Sequence, residues 1–198
     1  IICRSNKNAV QYNQYIRRVI QYREDELEAG DLLMIVRNNY RFLPENAPAG
    51  FLANGDFVEV LKIIRFEELY DLRFVELRLR LLDYPDQEPF EAKVILDTLY
   101  TEEASLNDKK YRELYEQVSA DYADVATKVE RAKAIKNDPY LNALQVKFAY
   151  ALTCHKSQGG QWNAVFVDQG YQQRELGDRL WQPIKPAKQP HASIRSTE

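Results

Sequence analysis

A polar run at residues 153–161 contains the side chains of this chain that could do chemistry. In ALTCHKSQGGQW, hydroxyl, imidazole, ammonium and carboxamide groups follow one another, and two adjacent glycines, Gly159 and Gly160, lie near the end. These groups can contact phosphate oxygens together, and glycine lets a backbone approach a ligand closely. An alternating apolar run ends at Leu152, and a second apolar run follows at residues 164–167. Polar groups at the carboxyl end of a strand in an open α/β sheet lie where ligands bind, so we expect phosphate here.

The start of the chain offers a second point for phosphate binding. Residues 1–3 predict a buried strand, and Ser5 or Asn6 can then cap a helix. The free amide groups and positive dipole end of that helix suit an anion, which Arg4 could also contact. An ordinary helix cap beside a solvated arginine is the alternative, and both interpretations can hold together.

Composition limits the kinds of partner and compartment. The 198 residues are 45% hydrophobic, which is enough for one compact domain or two small ones. Net charge is −3, so no overall basic field drives nucleic-acid binding, and any such contact must be local. No apolar run approaches the about 20 residues of a membrane span and no signal-peptide pattern is present, so we expect a cytoplasmic protein. Cys3 and Cys154 lack metal-ligand spacing and are expected to be buried free thiols.

Hydrophobic periodicity predicts how the elements are ordered. A strand and helix come first, and four β-rich runs follow at residues 32–36, 57–66, 74–82 and 91–100. The third run alternates, with one apolar face formed by Val75, Leu77, Leu79 and Leu81. We expect a small antiparallel barrel from these four runs. Residues 105–135 then have helical spacing, and α/β character returns after them, which predicts a sheet domain interrupted by an insertion.

The polar run resembles a known helicase motif. Thr153, His155 and the sequence KSQG that follows match motif V of superfamily 1 helicases in the RecD-like and Dda-like branch, whose core is T-x-H-[KR]-[SA]-Q-G. Gln161 stands where that family normally has Glu, which keeps the hydrogen-bonding reach and loses the charge. Residues 1–18 resemble the strand and helix of motif IVa. RNNY at residues 37–40 and NGD at residues 54–56 resemble the start of the SH3-like insert in the RecD-like enzymes.

This resemblance implies an α/β fold with a partial RecA-like parallel sheet, interrupted by an SH3-like β-barrel and helices. It places a discontinuous second RecA-like motor domain at residues 1–29 and 143–171. The barrel is expected at residues 30–104, a helical connection at 105–142 and an irregular tail at 172–198. No motif VI is recognisable in that tail. Because the chain starts with Ile inside a predicted strand, we expect it to be a piece of a longer protein.

The same resemblance implies roles for individual residues. The nucleotide would be bound by Gln158, Gly159 and Gln161. Single-stranded DNA would be bound by Arg4, Ser5, Asn6, Asn39, Thr153, His155 and Lys156. For Thr153 and His155, the alternative is a satisfied hydroxyl at a strand end and a histidine packed at a sheet edge. For Asn39, the alternative is simple turn chemistry.

The chain lacks other parts of an ATPase. It contains no phosphate-loop sequence G-x-x-x-x-G-K-[ST] and no acidic pair placed for magnesium, so it should not hydrolyse ATP alone. No catalytic or metal-binding residue is predicted in it. ATP and Mg²⁺ would be bound in the full enzyme with an N-terminal RecA-like domain of the same polypeptide. Two other functions remain open. One is a non-enzymatic SH3-like module that binds nucleic acid or protein, and the other is a nuclease proper, which the absence of an acid cluster disfavours.

Overall fold

A short parallel sheet and a closed β-barrel form the two layers of the fold. The computed structural model describes residues 1–44 and 46–169. Strand β1 (Ile2–Cys3) pairs in parallel with β7 (Leu152–Thr153), and Val167 forms a parallel bridge to Ile2. The predicted α/β fold with an inserted barrel is therefore confirmed.

The barrel contains five strands in the order β2-β3-β4-β5-β6. They are β2 (Leu32–Ile35), β3 (Phe57–Leu69), β4 (Leu72–Leu81), β5 (Phe90–Ile95) and β6 (Leu144–Phe148). The apolar face predicted for the third run is confirmed, since its four residues are fully buried in the barrel core. Burial of this core supplies the main stabilisation of the barrel.

Two predictions about the barrel are wrong. It is not purely antiparallel, because β5 and β6 pair in parallel. A parallel pair needs a long crossover connection, and residues 96–143 supply it. The fourth β-rich run also does not extend to residue 100, because a 3₁₀ turn, Leu96–Leu99, replaces its second half. The fifth strand, β6, lies within residues 143–171, so the barrel takes residues that the sequence assigned to the motor domain.

The helical connection consists of two helices, which lie largely within the stretch for which the spacing predicted helical character. They are α2 (Asp108–Asp121) and α3 (Lys128–Asn137). Thr127 starts α3: its hydroxyl accepts a hydrogen bond from the Glu130 amide (3.2 Å) and donates one to the Glu130 carboxylate (2.8 Å). This N-cap explains the break, because it makes residue 127 a helix start rather than a helix interior. The 3₁₀ turn and these two helices carry the chain from β5 to β6.

The apolar run before the polar residues is also not one continuous strand. It is divided into β6, in the barrel, and β7, in the parallel sheet. The buried Asn13 side chain lies at the division: its Nδ2 donates to the carbonyls of Phe148 and Ala151, both at 3.0 Å, and its Oδ1 accepts from the Ala151 amide at 2.8 Å. A buried carboxamide that satisfies these backbone groups lets the chain leave one sheet and enter the other without unpaired polar atoms.

Helix α1 joins the parallel sheet to the barrel. It spans Asn6–Tyr15 and continues as a π-helical turn, Ile16–Ile20. Arg17 in that turn donates two hydrogen bonds of 2.9 Å to the buried Asp31 carboxylate, just before β2. The same carboxylate accepts from the Tyr150 hydroxyl at 2.9 Å. This buried contact fixes α1, the barrel and the segment between β6 and β7 to one another. No helix in the described part of the chain is long and apolar enough to cross a membrane.

Candidate functional site

The carboxyl ends of two neighbouring parallel strands form the candidate site. Cys3 of β1 pairs with Thr153 of β7, and the Cys154 amide donates to the Cys3 carbonyl at 3.0 Å. Because the strands are parallel, the residues after Cys3 and those after Thr153 leave the sheet at the same edge. The structure therefore brings Arg4 and His155, separated by 151 positions in the sequence, to one sheet edge.

The first side of this edge is the start of α1. Ser5 caps the helix, and its hydroxyl accepts from the Asn8 amide at 3.2 Å, which confirms the predicted cap. Arg4 is exposed, and within the described residues its guanidinium has no carboxylate at ion-pair distance. Asn6 is only half-exposed and lines a small cavity of about 30 Å³ between α1 and the barrel. Of the three residues predicted to bind DNA at this helix start, Arg4 and Ser5 are thus the exposed ones.

The second side is a tight turn formed by the polar run. The Thr153 carbonyl accepts from the amides of Lys156 (3.0 Å) and Ser157 (3.1 Å), and the Ser157 hydroxyl donates to the Cys154 carbonyl (2.9 Å). Gly159 has φ +81°, a conformation that other residues adopt with strain. The turn holds the His155 imidazole on the surface, so this histidine is not packed against the sheet.

Cys154 contradicts the sequence prediction. The expectation of two buried thiols is right for Cys3 and wrong for Cys154, which is exposed. The reason is that β7 ends at Thr153, so Cys154 belongs to the turn rather than to the strand. Both cysteines are free.

Lys156 connects the turn to the barrel. Its ammonium group donates to the Asn54 side-chain oxygen, in the turn that leads into β3. Partial burial lowers the pKa of Lys156 below its ordinary value, because desolvation disfavours the charged form. Trp162 makes a second contact with the barrel, edge to face with Phe57 at 6.3 Å between ring centroids. The loop is therefore supported by the barrel and does not extend freely into solvent.

An open groove of about 550 Å³ lies between this loop and the barrel. Its walls include His155, Gln158 and Gly159 from the loop and Asn54 and Asp83 from the barrel. Gln161 is exposed next to it. The groove presents imidazole, carboxamide and backbone groups, and these can contact the phosphates of a ligand. A group of three metal-binding side chains is absent from residues 1–44 and 46–169.

Asn39 is the one predicted site residue that lies away from this edge. Its side-chain nitrogen donates to the Asn142 carbonyl at 2.8 Å, and its oxygen accepts from the Arg41 amide at 2.8 Å. The bond from the Arg41 amide is the turn chemistry that the sequence allowed as the alternative, whereas the bond to Asn142 is a long-range contact. The contact between Lys156 and Asn54 was not predicted, since 102 positions separate the two and neither residue type signals it.

Comparison with known families supports a helicase. Residues 148–180 match the UvrD-like helicase C-terminal domain family, and this segment contains β7, the whole polar turn and the bridge at Val167. The match supports the C-terminal region of a superfamily 1 helicase, a family that binds DNA and ATP. It continues past residue 169, so part of it, with the predicted tail at 172–198, falls outside the described residues. No curated protein matches the chain significantly.

Proposed function

We propose that the chain is the C-terminal motor half of a RecD-like superfamily 1 ATP-dependent DNA helicase, or of an exonuclease-associated helicase of that kind, in the cytoplasm. Residues 1–29 and 143–171 would form the second RecA-like domain, apart from β6, which completes the barrel. The SH3-like barrel at 30–104 and the helical connection at 105–142 would be inserted in that domain. One observation carries the proposal: β1 and β7 are parallel neighbours, and the family match lies on the loop that follows β7.

The proposed DNA contact is with the sugar-phosphate backbone of a single strand. Arg4, the cap at Ser5 and the free amides of α1 offer one phosphate site, and Thr153 and His155 offer the next across the paired strands. Neighbouring parallel strands lie about 4.8 Å apart. Contacts from both strand ends can therefore reach successive positions along one backbone. Lys156, which is held by Asn54, would contribute its charge from the barrel side.

The proposed nucleotide contact is with Gln158, Gly159 and Gln161. ATP and Mg²⁺ would lie between this chain and an N-terminal RecA-like domain of the same polypeptide, which would supply the phosphate loop and the magnesium-binding acids. The chain alone would be inactive as an ATPase. Opening and closing of the two domains would move the grip along the strand, and the family resemblance implies travel from 5′ to 3′.

DNA binding can be tested by fluorescence anisotropy of a labelled oligo(dT) over a series of salt concentrations. We expect the Thr153→Ala, His155→Ala double variant to bind more weakly. A plot of log affinity against log salt concentration has a negative slope, and each phosphate contact on a single strand contributes about 0.7 to its magnitude. The Arg4→Ala variant should therefore reduce the magnitude of this slope by about 0.7. The matched control is Lys128→Ala, an exposed charge in the first turn of α3, which should leave affinity and slope unchanged.

Two results would refute the proposal. If wild type does not bind the oligonucleotide, the chain is not a DNA-binding motor half. If wild type binds and both site variants keep its affinity and its salt dependence, the sheet edge does not contact the DNA. A binding module centred on the barrel is then the better explanation. Circular dichroism of each variant shows whether the fold is retained.

A further inference from the structure

Two exposed aromatic rings lie stacked on a loop of the barrel. Tyr40 is 67% exposed and Phe51 38% exposed, with ring centroids 4.8 Å apart and an interplanar angle of 29°. An isolated antiparallel bridge joins the two chain segments that carry these rings. In it, Asn39 and Leu52 exchange backbone hydrogen bonds of 2.8 and 2.9 Å. Phe51 therefore supports one face of Tyr40, and the pair forms a platform that is fixed before any ligand arrives. We call these two rings the aromatic shelf.

A polar pocket of about 150 Å³ adjoins the shelf. Tyr40 itself lines it, together with Arg37, Asn38, Arg41 and Tyr111. The Arg37 guanidinium lies 4.7 Å above the Tyr111 ring, and Arg41 donates to the Asn137 side chain at 2.5 Å. Within the described residues, neither guanidinium has a carboxylate at ion-pair distance. The pocket thus has two positive charges with no negative partner from the described fold.

This combination of groups fits one nucleotide of a single strand. A base can stack on the exposed aromatic face, which is worth about 1–3 kcal/mol per base and tolerates any sequence. A guanidinium forms strong, charge-assisted hydrogen bonds to a phosphate. A carboxamide such as that of Asn38 can form a hydrogen bond to either the base or the phosphate. An apolar partner would gain little from two arginines, and a bare anion would gain nothing from the stacked rings.

The shelf is connected to the sheet edge by direct contacts. The Asn38 side-chain oxygen accepts from the Asn54 amide at 2.8 Å, and the Asn54 side-chain oxygen accepts from Lys156 in the polar turn. Asn38 also donates to the Tyr40 hydroxyl at 3.3 Å. One run of contacts thus leads from the turn after β7 to the shelf, along the groove wall to which Asn54 belongs.

The geometry points to the aromatic shelf as a stacking site for one unpaired base of the strand that crosses the sheet edge, with Arg37 on the adjoining phosphate. This inference rests on the proposed DNA-binding function and adds to it a contact with bases. The sheet edge holds only the backbone, whereas the shelf holds a base without reading its identity. A strand bound at both places would be kept single, because a stacked base is not free to pair.

The test compares two oligonucleotides with the 198-residue chain: oligo(dT) carrying one 2-aminopurine, and an abasic oligonucleotide of the same length. Tyr40→Leu should weaken binding of the base-containing strand about tenfold, by the loss of one stacking contact, and should leave abasic binding unchanged. It should also remove the quenching of 2-aminopurine that stacking causes. Tyr40→Trp should keep both signals. The control is Tyr15→Leu, an exposed tyrosine at the far end of α1 from Ser5, which should change neither signal.

The outcomes separate this inference from the proposed function. Unchanged binding and quenching in Tyr40→Leu, or equal losses on both oligonucleotides, would overturn the shelf and leave the sheet edge in place. A selective loss in Tyr40→Leu, together with no effect of the Thr153→Ala, His155→Ala pair, would support the shelf and remove the motor interpretation. If wild type binds neither oligonucleotide, both are wrong.

Discussion

Replacing Asp31 by Asn tests the contact that fixes the sheet edge to the barrel. Arg17 and Asp31 are only 1% and 0% exposed, and two parallel hydrogen bonds of 2.9 Å join them. The Arg17 guanidinium also lies 4.4 Å from the centre of the Phe148 ring. With Asn at residue 31, this guanidinium would remain buried without its carboxylate. Removing one partner of a buried pair costs about 3–5 kcal/mol, and we expect the free energy of unfolding to fall by that amount.

The reverse replacement, Arg17→Met, should cost less. Asp31 would still lie 3.0 Å from the Arg23 guanidinium and would still accept from the Glu28 amide at 2.8 Å. Methionine can also fill much of the volume that the arginine side chain occupies. The double variant contains neither of these two buried charges. The free energy of unfolding should therefore fall by less than the sum of the two single decreases. We expect a coupling energy of about 0.5–3 kcal/mol.

Urea unfolding followed by circular dichroism measures these free energies. The matched control is Glu76→Gln, which breaks the ion pair between Glu76 and Arg65. The Arg65 side chain is 59% exposed and the Glu76 side chain 30%. Exposed pairs contribute about 0–1 kcal/mol and are screened by salt. This control should therefore lower the free energy of unfolding only slightly, and not at all in concentrated salt. The reasoning is refuted if Asp31→Asn costs no more than Glu76→Gln, or if the Arg17 and Asp31 effects are additive.

Two further predictions concern pH and the glycine pair. Burial lowers the pKa of Lys147 from 10.5 to about 8, so between these values the unfolded chain binds more protons and stability rises with pH. Burial raises the pKa of Tyr100 from 10 to about 12, which has the opposite effect on stability above pH 10. The rise in stability should therefore be measured by urea unfolding from pH 8 to pH 10. Lys147→Met should flatten it, and an equal rise in the variant would contradict this cause. At Gly160, an added Cβ would collide with the Trp162 ring, whereas at Gly159 it would meet nothing within 4 Å. With Trp181 replaced by phenylalanine, Gly160→Ala should shift Trp162 emission to the red. Gly159→Ala strains the turn at its positive φ without touching the ring, so it should shift the emission less. Equal shifts in the two variants would show that the ring does not pack against Gly160.

Periodicity was sufficient to predict the elements that bury one clear face. The alternation of Val75, Leu77, Leu79 and Leu81 identified a barrel strand, and the Ser5 cap identified the start of α1. Both signals are local, since they come from side chains a few positions apart. The adjacency of β1 and β7 was also predicted, from the two polar ends and the family resemblance.

Two of the features that the sequence did not predict depend on long-range hydrogen bonds. The division between β6 and β7 is made by Asn13, which lies 138 positions from Ala151. Its carboxamide is compatible with a helix face, and nothing in the local pattern shows which backbone groups it satisfies. The contact of Lys156 with Asn54 is of the same kind. Such bonds carry no periodicity, so a sequence pattern can suggest the residues and not the pairing.

These long-range bonds also decide how the two parts of the proposed site can move. Asn13, near the C-terminal end of α1, fixes the helix to the chain between β6 and β7, and Arg17, in the π-helical turn that follows, fixes it to Asp31 at the start of the barrel. Lys156 joins the polar turn to the barrel at Asn54. A displacement of the sheet edge would break buried polar contacts unless the barrel moved with it, and such contacts are costly to leave unpaired. During the proposed domain closure, the sheet edge and the aromatic shelf should therefore move together, and a strand bound at both points would be held through each step.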